Sequence, residues 1–142
     1  MRVLIGYDGS PSARAAIDTA VEFFGAGEHE FVIFSAFHRP LSTDPLAEAA
    51  YDAVRKESRA QLEEVIKELN DQGLAVRGRL VEGEPREILD RMVAEEEPHL
   101  VVVGARGQSE LTKVLLGSVS AYAVKHLSSP VLVVRQSDEE SS

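Results

Sequence analysis

A chain of 142 residues with 44% hydrophobic residues has material for one core and one domain, not two. Lys and Arg number 15 against 24 Asp and Glu, and the resulting formal net charge of −9 argues against a basic nucleic-acid-binding face and against attraction to anionic membranes. The absence of cysteine excludes disulfides, thiolate chemistry and cysteine-ligated metal sites, and no apolar run approaches the length that crosses a bilayer.

The chain runs straight into an apolar strand pattern at Val3–Ile5, with no leader-like segment before it, so a cytoplasmic protein is the simplest expectation. Gly6-Tyr7-Asp8-Gly9 bounds that strand, and Ser10 followed by Pro11 reads as a helix cap and first helical position. Ala13, Ile17, Ala20, Val21 and Phe24 then share one helical face, and Gly25-Ala26-Gly27 stops the helix. Phe31–Phe37 is rich in strand formers and reads as a central strand. A helical pattern extends from Leu46 to Asn70, with Leu62, Val65, Ile66 and Leu69 as its clearest stripe, and Gly73 breaks it. Leu74–Glu82 alternates, with Arg77 and Arg79 on one face, which places it at a sheet edge. Gly83-Glu84-Pro85 starts a third helix with Ile88, Leu89, Met92 and Val93 inward. Leu100–Val103 and Val131–Val134 are the fourth and fifth strands, and a short helix at Val119–Leu127 lies between them. Glu95-Glu96-Glu97 reads as solvated surface, and residues 136–142 read as a disordered acidic tail. Alternation of strand and helix throughout predicts an α/β fold with a parallel sheet and right-handed crossovers.

The most informative stretch is Val101-Val102-Val103-Gly104-Ala105-Arg106-Gly107, followed by Gly117-Ser118-Val119-Ser120. A buried strand ends in a glycine-punctuated loop that leads to a helix N-terminus. Free backbone N–H groups and the positive end of the helix dipole converge there, which suits a phosphate. The spacing is not that of a P-loop, because no Gly-Lys-Ser/Thr closes it, nor that of the dinucleotide fingerprint, which needs a third close glycine. A branched side chain at position 117 would occupy the phosphate position and disfavour any positive φ there. Ser118 and Ser120 read as N-caps whose hydroxyls also face the anion site. Arg106 reads equally as a residue that neutralises phosphate charge and as an exposed loop arginine.

Gly-x2-Gly-x9-Gly-Ser, together with Val3-Leu4-Ile5-Gly6-Tyr7-Asp8-Gly9-Ser10, resembles the nucleotide-binding motif and first strand of the universal stress protein family. The element order fits that family from residue 1 to 135. The resemblance implies a Rossmann-like open five-stranded parallel sheet of order 3-2-1-4-5 with helices on both faces. It also implies ATP as ligand, with Mg²⁺ where phosphate charge meets Asp8, and little or no turnover. It assigns nucleotide contacts to Gly6, Asp8, Ala36, Val103, Gly104, Arg106, Gly107, Gly117, Ser118, Val119 and Ser120. Ala36 stands where the family commonly carries a larger aliphatic. For Asp8, a contact to ribose hydroxyls and a metal-bridged contact to phosphate both remain open. The alternatives are a slow ATPase or other nucleotide-handling enzyme, and a homologue that dimerises without binding nucleotide. His29, His38, His99 and His126 show no ligand spacing and read as surface or partly buried residues, and no catalytic base stands out. Val131–Val134 is apolar on both faces yet falls at the edge in the implied order, so pairing with the same strand of a second copy is expected. Leu111, Val114 and Leu115, in the spacer that also holds Lys113, are candidates to widen that interface.

Overall fold

The structure is a computed structural model that describes residues 1–39, 42–106 and 116–136. The expected alternation is present: β1 (Arg2–Gly6), α1 (Pro11–Phe24), β2 (Glu30–Phe37), α2 (Pro45–Asp71), β3 (Ala75–Glu82), α3 (Pro85–Glu96), β4 (Leu100–Gly104), α4 (Ser118–His126) and β5 (Val131–Val134). The five strands form one parallel sheet of order β3-β2-β1-β4-β5. Local chemistry explains most of the boundaries. The Ser10 hydroxyl accepts from the Ala13 N–H at 3.1 Å and Pro11 occupies the first helical position, so α1 starts where the sequence predicts. Proline also opens α2 and α3, capped by the side chains of Asp44 and Glu84. Gly73 follows α2 with φ +89°, a conformation that disfavours any residue with a Cβ.

Val3, Leu4 and Ile5 are fully buried on both faces, as a central strand of a doubly covered parallel sheet requires. On one face Val3, Ile5, Phe31, Ile33 and Val102 pack with Ala16, Ile17 and Ala20 of α1 and Leu62, Val65 and Leu69 of α2. On the other, Leu4, Val32, Phe34, Val101 and Val103 pack with Ile88, Leu89 and Met92 of α3 and Ala123 of α4. The chain winds outward from β1 through β2 to β3, then returns to β4 on the other side of β1. The winding therefore reverses between β1 and β4, and their C-terminal ends diverge to leave a crevice, the position where open α/β sheets bind ligands.

The edge strand β3 carries a network that the composition does not reveal. Glu96, expected as solvated surface, is only 5% exposed. Its carboxylate accepts hydrogen bonds from Arg77, twice, and from Arg79 at 2.9 Å. Arg77 continues to Glu30 at 2.8 Å and Arg79 to Glu95 at 2.8 Å. Glu96 closes the last turn of α3 against the arginine face of β3, so its burial is set by a partner element remote in sequence. Glu97 then ends the helix in the left-handed region at φ 48°.

Candidate functional site

The crevice between β1 and β4 is a cleft of about 380 Å³. Three segments build it. The first is the turn after β1. The Tyr7 N–H donates to the Phe34 carbonyl at 2.9 Å, and the Ser35 hydroxyl donates to the Tyr7 carbonyl at 2.7 Å, which pins this turn to β2. Oδ1 of Asp8 accepts from the Ser10 N–H at 2.9 Å, closing an Asx turn, and Gly9 supports it with φ +81°. Burial pushes the Tyr7 phenol above its ordinary pKa, with Arg14 opposing the shift.

The second segment is the end of β4. A Cβ on Gly104 would lie 2.7 Å from the carbonyl carbon and oxygen of Ser12, so glycine is required for α1 to approach the strand this closely. The Ser12 hydroxyl, only 4% exposed as a residue, accepts from the Arg106 N–H at 3.2 Å. The start of α1 and the first residues of the glycine loop are thereby fixed to each other.

The third segment is the start of α4. The Gly117 N–H donates to the Ala105 carbonyl at 2.5 Å, and the Ser120 hydroxyl donates to the same carbonyl at 2.9 Å and to that of Gly117 at 3.2 Å. This clasp joins the two ends of the glycine-punctuated segment at its base. It also corrects two expectations. The N-cap of α4 is Gly117, which offers no side-chain acceptor, and Ser120 is buried with its hydroxyl turned back on the chain instead of capping the helix. Gly117 has φ −77° and ψ 178°, so the glycine is not required for a positive φ. Its remaining advantage is the absence of a side chain at the cleft wall.

Of the residues expected to contact ligand, Gly6, Asp8, Ala36, Val103, Gly104, Arg106, Gly117, Ser118, Val119 and Ser120 all line this one cleft. Gly107 lies outside the described residues, as do Lys113, Leu111, Val114, Leu115 and the tail from residue 137. Tyr7, Ala13, Phe34, His38 and Pro85 also line the cleft, and the sequence reading did not select them. Phe34 shares the parity of Ala36 along β2, a signal that period-2 alternation carries, and His38 follows directly after the strand ends at Phe37. Pro85 and Ala13 come from helix starts whose approach no local pattern reveals.

The cleft has two chemically different ends. On the β2 side stand Phe34, Ala36 and Pro85, apolar, with His38 beside them. On the β4 side stand Arg106 and the N-terminal turn of α4, with Asp8 between the two ends, in the turn after β1. Arg106 is the one arginine or lysine, and Asp8 the one carboxylate, among the described lining residues. No cluster of three or more metal-ligating side chains occurs among the described residues, and no helix among them is long and apolar enough to cross a membrane.

The universal stress protein family model matches residues 1–135. Universal stress protein YxiE of Bacillus subtilis is 30% identical over 146 aligned positions, which cover 94% of this chain and 98% of that one. Universal stress protein MJ0577 of Methanocaldococcus jannaschii is 33% identical over 81 residues, 57% of this chain and half the length of that relative. The solved structure of MJ0577 matches with a TM-score of 0.88 at 25% identity over 96% of each chain. A family member from Arabidopsis thaliana, solved with AMP bound, shares the fold with a TM-score of 0.75 at 18% identity, covering 100% of this chain and 95% of that one. A universal stress protein in complex with cAMP matches with a TM-score of 0.65 at 28% identity, covering 96% and 98% of the two chains. The family model takes in every strand and helix of the sheet, and the chain belongs to the universal stress protein family.

Proposed function

We propose that this protein is a stress-response regulatory module that binds an adenine nucleotide, ATP in the first place, and works as a homodimer with little or no turnover. The observation that carries the reading is the polarity of the cleft. A planar, weakly polar base suits the β2 side, where Phe34, Ala36 and Pro85 stand. Phosphate suits the β4 side, where Arg106 and the uncapped first turn of α4 stand. Ribose falls between them, beside Asp8. The solved relatives with AMP or cAMP bound support the same class of ligand.

Mg²⁺ on phosphate needs only one or two protein carboxylates, and Asp8 is the side chain that would hold it, neutralising part of the triphosphate charge. No lysine lines the cleft among the described residues, which supports the reading of little or no turnover. Dimerisation through β5 is supported by its position: it is the edge strand beside β4, and Val131, Leu132 and Val133 are only half-buried there.

Calorimetric titration with ATP and AMP, with and without Mg²⁺, tests the reading on wild type and on Gly117→Val. Valine also adopts the extended backbone found at position 117, so the variant is expected to fold with a branched side chain added at a residue that lines the cleft. Saturable binding in wild type and its loss in the folded variant are expected. Wild-type affinity in that variant would remove phosphate from the α4 terminus. Steady-state ATP turnover on the order of 1 s⁻¹ or faster would make the protein an enzyme and overturn the regulatory reading.

A further inference from the structure

His38 is the polar side chain of the β2 end of the cleft, and it stands apart from its neighbours. Phe37 packs on the Tyr51 ring at 5.7 Å between centroids. Arg39 lies over the same ring at 4.6 Å and pairs with Glu82 at 3.1 Å. The Tyr51 hydroxyl donates to Glu82 at 3.0 Å and closes the cluster. The residues on both sides of His38 are therefore anchored to α2 and β3. His38 itself makes no hydrogen bond, ion pair or ring contact with any described residue, and it lines the cleft. The residues on either side are held by their neighbours, while the ring nitrogens of His38 have no hydrogen-bond partner among the described residues. A loop residue arranged in this way is positioned for a ligand at little ordering cost.

Its place just past the end of β2 says which part of a ligand it meets. Phe34 and Ala36 succeed one another on the cleft side of β2, and His38, which also lines the cleft, is the first residue after the strand ends at Phe37. Extended chain spans at most about 3.3–3.6 Å per residue, so His38 lies within roughly 7 Å of Ala36 along the chain. Ala36 offers only a methyl group, leaving room for a base to seat against it. A one-ring base seated there ends short of the next side chain on that face, and a two-ring base continues outward to it. Phosphate lies on the far side of β1, out of this line, in the reading of the cleft given above.

We infer that His38 is a specificity-determining residue that reads the outer ring of a purine seated on Ala36, so that the cleft selects purine over pyrimidine nucleotides. The inference rests on the nucleotide-binding reading of this cleft. Titrations of AMP, UMP and ribose 5-phosphate against wild type and His38→Ala test it, and the exposed position makes the variant safe for folding. Wild type is expected to favour AMP over UMP. In His38→Ala the AMP affinity is expected to fall about tenfold, the size of one lost ring contact, with UMP and ribose 5-phosphate changed by less than about twofold. An AMP-over-UMP preference that survives in the variant overturns the assignment. So does an equal loss for ribose 5-phosphate, which would place the imidazole on the phosphate. Wild type that binds UMP as tightly as AMP also overturns it while leaving the nucleotide reading standing. Wild type that binds neither nucleotide removes the nucleotide reading and this inference with it.

Discussion

A single methyl group on Gly104 tests how the fold and the cleft are joined. An alanine Cβ at this position would lie 2.7 Å from three atoms of Ser12, two of them backbone, where ordinary contact begins at 3.4 Å. The neighbour cannot rotate away as a flexible side-chain tip would. Ser12 is buried in the first turn of α1, and Gly104 is paired to Val134 of β5, so one element must move against the packed sheet. Overpacking of this kind costs about 1–3 kcal/mol. Replacing glycine by alanine also stiffens the unfolded chain, which returns about 0.4–1 kcal/mol. The clash outweighs that gain, and Gly104→Ala is expected to lose about 1–2 kcal/mol, or roughly 2–6 °C in Tm for a chain of this size. The displacement strains the bond from the Arg106 N–H to the Ser12 hydroxyl, so AMP affinity should fall with stability. Urea denaturation and calorimetric titration measure the two effects. Gly73→Ala is the contrast: φ is +89° there and no atom lies within 4 Å, so stability falls through backbone strain alone and AMP affinity stays at the wild-type value. A Gly104→Ala protein with stability within about 0.5 kcal/mol of wild type, and unchanged AMP affinity, would refute the argument that this contact sets the cleft.

Two further outcomes follow from the edges of the sheet. Hydrogen bonds from Arg77 foremost, and then Arg79, hold the Glu96 carboxyl below the ordinary carboxylate range against the opposing effect of burial, and Arg91 and Arg77 do the same for Glu95 and Glu30. A carboxyl depressed in the folded state adds stability that is complete above the unfolded pKa of about 4.3 and is lost as pH falls below it. Urea denaturation from pH 7 to pH 3.5 should therefore show a loss of stability below about pH 5 in wild type and a shallower loss in Glu96→Gln. That variant should also be less stable at pH 7 by about 1–3 kcal/mol, reduced from the fully buried case because Arg77 is partly exposed, and an unchanged slope would refute the network's role. At the opposite edge, the carbonyls of Pro130 and Val134 accept from β4, so strand geometry turns the N–H of Val133 outward. Val133→Pro removes that donor without touching the β4 ladder, and sedimentation should show a dimeric wild type and a monomeric variant. A folded variant that stays dimeric places the interface elsewhere.

What the sequence determined by itself was everything set by short-range spacing. Apolar runs and the 3.6-residue stripes located every strand and helix, since the side chains one or two turns apart that form a buried face are neighbours in the chain. Ser10 with Pro11 marked where the backbone had to turn into a helix, and Gly104 where it had to come close to another element. The order 3-2-1-4-5 came from resemblance to a family, because periodicity does not say which strand lies beside which. Tertiary structure decided the rest. Arg106 and Ser12 are 94 residues apart, and their bond exists only because β4 inserts beside β1. Glu96 looked like solvent-facing charge until β3 brought two arginines against it. Ser120 looked like a cap until the Ala105 carbonyl arrived within 2.9 Å. His38 read as a surface or partly buried histidine, and it is exposed, but only the tertiary structure shows that it also lines the cleft. In each case the residue's environment is supplied by an element distant in sequence, and composition and spacing record only a residue's own neighbours along the chain.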